Sequence, residues 1–183
     1  VLAALSVPVF LFLTSMKGVD AARRRLQGVM RVGHLFWSDN VYYAPSHTWV
    51  RPVGRQRVRV GFDDLAQRLF QAPLGLTLAP VGTVVRAGDA VGEIRTARRR
   101  ARIVSPVSGT ITRLNHAVRE DVSLLHRDPY SRGWLFTVAP SDAAYEQLPT
   151  GARAKNWLWD EEHRLSRFFE ATLGVAAADG GEY

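Results

Sequence analysis

Five arginines lie within eight positions near the middle of the chain, and no other group of side chains is as chemically distinctive. They are Arg95, Arg98, Arg99, Arg100 and Arg102. Guanidinium groups are planar and permanently charged, and they bind carboxylates and phosphates through paired hydrogen bonds. The cluster therefore predicts recognition of an anion. The alternative is a polar turn without a ligand, because only two of the 24 basic residues, Lys17 and Lys155, are lysines.

Three classes of anion fit such a cluster. Acidic side chains of a neighbouring subunit would pair with the guanidinium groups, and anionic lipid headgroups would attract them. Nucleic acid fits less well, because aromatic side chains for base stacking are not interleaved with the arginines.

Other chemistry is sparse in the sequence. Cysteine is absent, which excludes disulfides and thiolate sites, and the five histidines are scattered without the spacing of metal ligands. Ser108 lies in P-V-S-G and lacks the G-x-S-x-G frame of a nucleophile. We therefore expect no catalytic residue, metal or cofactor, and a protein that is not an enzyme. His47 is expected to pack at the end of a sheet.

The arginines are predicted to lie at the tip of a β-hairpin with arms at 90–96 and 101–104. Short strands separated by Gly, Pro and Asp turns extend over residues 37–140, which predicts a mainly β sandwich or flattened barrel within a domain at 37–148. Alternating Val and basic residues at 57–61 predict an edge strand. Residues 63–70 predict a short helix capped by Asp63 and Asp64.

Residues 149–183 are predicted to form a helical docking arm with a loose tail over the last ten residues. Its bulky side chains are Trp157, Trp159, Phe168 and Phe169. The two tryptophans are two positions apart, so they point to different faces of a helix. One is expected to pack on the domain, while the other contacts a partner or a membrane interface, unless the whole arm packs on its own domain.

The first sixteen residues carry no charge, and this apolar run predicts a membrane anchor. As a helix it would be about 24 Å long, slightly shorter than the hydrocarbon core. A cleaved signal peptide and a buried helix are the alternatives. Four basic residues follow at Lys17, Arg23, Arg24 and Arg25, which predicts an inner-membrane protein with its bulk on the cytoplasmic side. Residues 17–36 are interpreted as a basic amphipathic segment, helical over 17–33, which either lies on an anionic leaflet or is a solvated connecting helix.

Six sequence motifs occur along residues 42–148 in the order of a known family. They are H-T-W-V at 47–50, V-G-F-D-D-L-A-Q at 60–67, P-V-G at 80–82, V-R-A-G-D at 85–89, P-V-S-G at 106–109, and D-P-Y with G-W-L at 128–135. This stretch resembles the H protein of the glycine cleavage system. The resemblance implies a lipoyl/biotinyl-carrier-like flattened β-sandwich of two small antiparallel sheets, with a hairpin turn at one end.

In that family the hairpin turn reads E-S-V-K-A, and its lysine carries lipoic acid. The resemblance places the family's Glu on Arg95 and its Lys on Arg98. No lysine lies between Lys17 and Lys155, so no shift of the alignment restores one. Because a guanidinium is a poor acyl acceptor, the chain is predicted to lack the carrier function.

Two functions of different classes are compatible with these patterns. The first is a membrane-anchored accessory subunit that stabilises a larger assembly of integral membrane proteins; association alone suggests a photosynthetic or respiratory complex. The second is a degenerate carrier that docks on lipoate-handling or glycine-cleavage enzymes and regulates them.

Overall fold

The computed structural model describes residues 28–70, 73–97 and 99–178, and side chains of the last helix as far as Phe168. Within them the chain is mainly β. The strands are β1 (Val29–Val32), β2 (Leu35–Ser38), β3 (Tyr42–Ala44), β4 (Thr48–Pro52), β5 (Val58–Phe62), β6 (Gly75–Leu78), β7 (Val84–Val85), β8 (Ala90–Arg95), β9 (Arg100–Val104), β10 (Gly109–Leu114) and β11 (Trp134–Pro140). The helices are α1 (Asp64–Leu69), α2 (His116–Glu120), α3 (Leu124–Arg127), a 3₁₀ turn (Ala144–Gln147) and α4 (Gly151–Ala178).

Two antiparallel sheets form the body of the protein. The larger has the order β3-β4-β5-β11-β10-β7, and the smaller has the order β6-β8-β9. Alternating side chains of both sheets meet in one core, where Val60 and Phe136 of the larger sheet join Ile94 and Ile103 of the smaller. This confirms the predicted flattened sandwich of antiparallel sheets with helices at the C-terminal end.

A second core lies where α4 packs on the body. It contains the buried side chains of Tyr43, Trp49, Tyr130 and Leu158, together with Trp37 from β2. The short β1–β2 sheet covers one side of it, so the N-terminal and C-terminal elements of the described chain stabilise each other.

Local capping fixes the helix after β5. Asp63 precedes α1 in an extended conformation, and its Oδ1 accepts a hydrogen bond from the Ala66 amide at 2.8 Å. This is the N-cap predicted from the sequence. Asp64 is instead the first helical residue, and its Oδ2 accepts from the Phe36 amide at 3.1 Å.

The amphipathic helix predicted for 17–33 is wrong where the structure describes it. Val29–Val32 is a strand that pairs with β2 in antiparallel register. Gly33 turns the chain with a φ of 54°, a conformation that glycine adopts at little cost. Leu35 and Trp37 then point into the second core. The burial of these alternate residues stabilises a strand here instead of the predicted helix.

Two smaller predictions also need correction. β5 is not an edge strand, because β4 and β11 flank it on both sides. Its basic residue Arg59 is only partly exposed, because its guanidinium lies over the Trp134 ring at 5.2 Å. The last helix continues through Ala178, into the stretch predicted to be loose.

Within the residues that the structure describes, no helix has both the length and the apolar character required to cross a bilayer. The predicted anchor at 1–16 and the basic residues Lys17, Arg23, Arg24 and Arg25 lie outside the described residues.

Candidate functional site: an arginine-rich hairpin

Four of the five clustered arginines, Arg95, Arg99, Arg100 and Arg102, lie on the hairpin formed by β8 and β9, as predicted. The two strands pair antiparallel from Ala90 opposite Val104 to Arg95 opposite Arg100. The turn between them closes when the Thr96 amide donates to the Arg99 carbonyl at 2.8 Å and the Arg99 amide donates to Thr96 Oγ1 at 3.0 Å. The hairpin arms therefore agree with the predicted arms to within one residue.

The hairpin has one buried and one exposed face. Val91, Ile94 and Ile103 point into the sandwich core and are at most 2% exposed. The opposite face carries charge and is open to solvent; it consists of Glu93, Arg95, Arg100 and Arg102, which alternate with Ile94 and Ile103. Val91 is buried as well because the register shifts between Ala90 and Gly92. Packing of the inner face holds the backbone that presents these groups, so the outer charges sit on a fixed frame.

Charges on the outer face are unbalanced. Arg95 lies directly opposite Arg100, and Glu93 lies opposite Arg102. The single carboxylate makes a loose ion pair with Arg100, with 3.9 Å between Oε1 and Nη1. Like charges directly opposite on neighbouring strands destabilise a sheet, so the Arg95–Arg100 pair is unfavourable for the isolated fold. An anion bound between them would remove this cost.

A lipoyl group does not fit this hairpin. Position 98, where the resemblance places the carrier lysine, lies outside the described residues, but the sequence gives it an arginine. Arg95, Arg99, Arg100 and Arg102 are likewise guanidinium groups, which stay protonated and do not form amides with acyl donors. The arrangement can bind anions and cannot carry an acyl arm.

The predicted docking residues of the C-terminal arm separate into two environments. Trp157 is half-buried, with its ring 6.3 Å from that of Tyr43 and 5.7 Å from that of His47. Trp159 is 46% exposed and Phe168 is 62% exposed. The two tryptophans thus face different directions, as their spacing predicts, and only Trp159 of the two is open. The side chain of Phe169 lies outside the described part of the chain.

His47 packs at the end of the larger sheet, as predicted, and it also pairs with a buried carboxylate. Its Nδ1 lies 3.1 Å from Oδ2 of Asp63, which is fully buried. Burial lowers the pKa of His47, but the hydrogen bond that its ring donates to Asp63 and the negative charge of Asp63 together outweigh burial, so the pKa is raised. The pair ties β4 to the start of α1 and supports the Trp157 ring.

Sequence reasoning missed a polar cluster beneath the second core. Arg51 Nη1 donates to the Tyr130 carbonyl at 2.5 Å, and the Tyr130 hydroxyl donates to the Phe36 carbonyl at 2.8 Å. Burial raises the pKa of Tyr130 well above its usual range. A cavity of about 160 Å³ adjoins this cluster, lined in part by Asp64 and Asp128. The D-P-Y motif at 128–130 was the available signal, but its partners come from β2 and β4.

Groups of metal-binding residues are also absent from the described part of the chain, where no three His, Asp or Glu side chains are placed to hold an ion.

Comparison with known proteins identifies the fold. The family model described as "Glycine cleavage H-protein" matches residues 41–161. The glycine cleavage system H protein of Mycobacterium avium is 37% identical over 105 residues, which is 57% of this chain and 80% of that protein. The corresponding protein of Psychrobacter cryohalolentis is 30% identical over 117 residues, covering 63% of this chain and 93% of that one.

A solved structure supports the same assignment. The crystal structure of a glycine cleavage system H protein from Mycobacterium marinum matches with a TM-score of 0.57 at 28% identity, covering 63% of this chain and 94% of that chain. The family match begins after β2, so the β1–β2 sheet precedes the shared domain. The shared domain, from β3 into the first part of α4, shows that this chain belongs to the glycine cleavage H-protein family.

Proposed function

We propose that this chain is a non-lipoylated member of the H-protein family that acts by docking on a partner. Its arginine hairpin binds an acidic surface on an enzyme that handles lipoate or takes part in glycine cleavage, and the contact regulates that enzyme. The chain itself needs no cofactor and performs no catalysis. The observation that carries this proposal is the facing Arg95–Arg100 pair on the hairpin where the family mounts its lysine.

The chemistry of the hairpin favours a protein carboxylate as its target. Exposed guanidinium groups gain little from single ion pairs in water, but several paired hydrogen bonds to neighbouring carboxylates supply geometry and specificity. The hairpin offers such a set on a frame fixed by its buried face. Its exposure also makes the contact dependent on salt.

The first experiment asks whether the chain is ever lipoylated. We expect the intact mass of the full chain, co-expressed with lipoylation enzymes, to equal that of the unmodified sequence. The double variant Arg95→Glu with Arg98→Lys restores the two family residues and is expected to gain a lipoyl group. A lipoylated parent chain would refute the proposal.

The second experiment identifies the partner. Affinity purification of the full chain is expected to recover lipoate-handling or glycine-cleavage enzymes. The variant Arg95→Glu with Arg100→Glu should lose them, while Arg86→Glu with Arg119→Glu, an equal change of charge at exposed sites elsewhere, should retain them. Recovery of membrane subunits alone, or equal recovery with both variants, would contradict docking through the hairpin.

A membrane-anchored accessory subunit is the second candidate function. The observation that favours it is the uncharged run at 1–16 followed by Lys17, Arg23, Arg24 and Arg25. In this case the partners are integral subunits of a membrane assembly, and the folded domain lies on the cytoplasmic side of the inner membrane. Deletion of residues 1–16 is then expected to release the chain from sedimented membranes. Unchanged sedimentation would count against the anchor.

A further inference from the structure

An open groove lies between the β1–β2 turn and the first half of α4, away from the arginine hairpin in sequence. Its volume is about 450 Å³, and it is lined by Arg31, Val32, Gly33, Lys155, Asn156 and Trp159. The charged residues in this lining are both basic, and both are exposed. The groove therefore places two cations beside an aromatic ring, and the Glu162 carboxylate lies against Gly33 at its edge.

Trp159 is held in place although it is open to solvent. Its ring lies 4.3 Å from the His163 ring, and a Cβ on Gly33 would be only 3.2 Å from its Cζ3. Glu162, on the same helix, accepts hydrogen bonds from the His34 amide, at 3.1 Å for the nearer oxygen. These contacts fix the indole against the turn and leave 46% of the residue exposed. A fixed, half-exposed indole beside cationic groups is the combination that favours a membrane–water interface.

The position of the groove in the chain indicates what covers it. The described chain begins at Gly28, three residues before Arg31, and eleven residues separate Gly28 from the apolar run at 1–16. Eleven residues span at most about 40 Å even when fully extended. If the apolar run is in a bilayer, this segment keeps Gly28 within about 40 Å of the membrane surface, and it adds four basic residues.

We propose that this groove lies on the headgroups of an anionic bilayer, with Arg31 and Lys155 contacting lipid phosphates and Trp159 entering the interface. The proposal rests on the second candidate function, attachment through residues 1–16. Each basic side chain near an anionic leaflet strengthens binding by roughly fivefold, so the pair contributes roughly 25-fold.

The test uses the full chain, in which the absence of cysteine permits labelling at a single introduced site. Asn156→Cys places an environment-sensitive fluorophore in the groove, and Ala87→Cys places it on an exposed turn elsewhere. The probes are vesicles of phosphatidylglycerol mixed with phosphatidylcholine and vesicles of phosphatidylcholine alone. We expect the label at position 156 to shift to the blue and to be quenched by spin-labelled lipid in the anionic vesicles, and the label at position 87 to remain unchanged.

Charge variants complete the experiment. Arg31→Gln with Lys155→Gln should weaken the response at position 156 to anionic vesicles roughly 25-fold in lipid concentration, whereas Arg86→Gln with Arg119→Gln should leave it unchanged. If the chain sediments with the vesicles while position 156 stays in water, the groove proposal is overturned and the anchor stands. If the chain does not bind anionic vesicles at all, both are overturned.

Discussion

Replacement of Arg95 by Glu tests whether the hairpin is arranged for a partner or for its own stability. In the parent chain Arg95 faces Arg100 across the β8–β9 pair, which is unfavourable. In the variant, the introduced carboxylate would face Arg100, so this pair changes from repulsive to attractive. The neighbouring pair of Glu93 and Arg102 is attractive in both chains. We therefore expect Arg95→Glu to stabilise the fold while it weakens docking.

The expected gain is modest because the pair is exposed. A cross-strand charge pair contributes about 0.2–1 kcal/mol, and the variant both removes a repulsion and adds an attraction. Solvent screening reduces the sum, so we expect about 0.5–1 kcal/mol and a rise in Tm of roughly 1–4 °C. Arg95→Gln, which only removes the repulsion, should give about half of this gain.

The assay is urea unfolding followed by circular dichroism at low and high salt, combined with the affinity purification described above. Arg119→Glu is the matched control, since it makes the same change of net charge on an exposed helical residue outside the sheets. The stabilisation should shrink as salt increases. The reasoning fails if Arg95→Glu is no more stable than Arg119→Glu, or if it is more stable and still recovers the partner in full.

Three further predictions concern the frame that holds these surfaces. Gly61→Ala places a Cβ 2.4 Å from the buried indole of β4 and should cost about 1–3 kcal/mol in thermal unfolding, whereas Gly75→Ala, with its nearest contact at 3.5 Å, should cost little. Because Asp63 raises the pKa of His47, their pair stabilises most below about pH 6.5 and loses this effect as the pH rises through the raised pKa. His47→Gln should thus be most destabilising in acid, measured by urea unfolding across pH; an equal loss at all pH values would contradict the pairing. Glu162→Gln should accelerate hydrogen exchange in the β1–β2 turn and α4 with little change elsewhere, and unchanged exchange would show that this contact does not join them.

The β8–β9 hairpin was predictable because all its signals are local. Buried Ile94 alternates with outward Glu93 and Arg95 over a few residues, and polar turn residues follow at once. Such a pattern specifies which face is buried without knowledge of the rest of the chain. Only the family resemblance showed that position 98 corresponds to the lysine that carries lipoic acid, because no local pattern contains this information.

The β1–β2 sheet was not predictable in the same way. Its first strand reads V-M-R-V, which has no clear alternation, and its partner in packing is α4, more than a hundred residues later in the chain. The misassigned edge strand has a similar cause. Arg59 looks like a solvent-facing residue of an edge, but its guanidinium covers the Trp134 ring from a neighbouring strand. Contacts that are distant in sequence decided both cases.

Two features of this molecule reduce the stability of the isolated fold, and neither is required by the family's sandwich. Arg95 facing Arg100 is a repulsive pair where the family's Glu would be attractive, and Trp159 keeps a large apolar ring in water. Both lie on rigid supports, the hairpin through its buried face and the indole through its contacts with Gly33 and His163. Each of the two proposals names a contact that would offset one of these costs: carboxylates placed between Arg95 and Arg100, and a bilayer interface around the Trp159 ring.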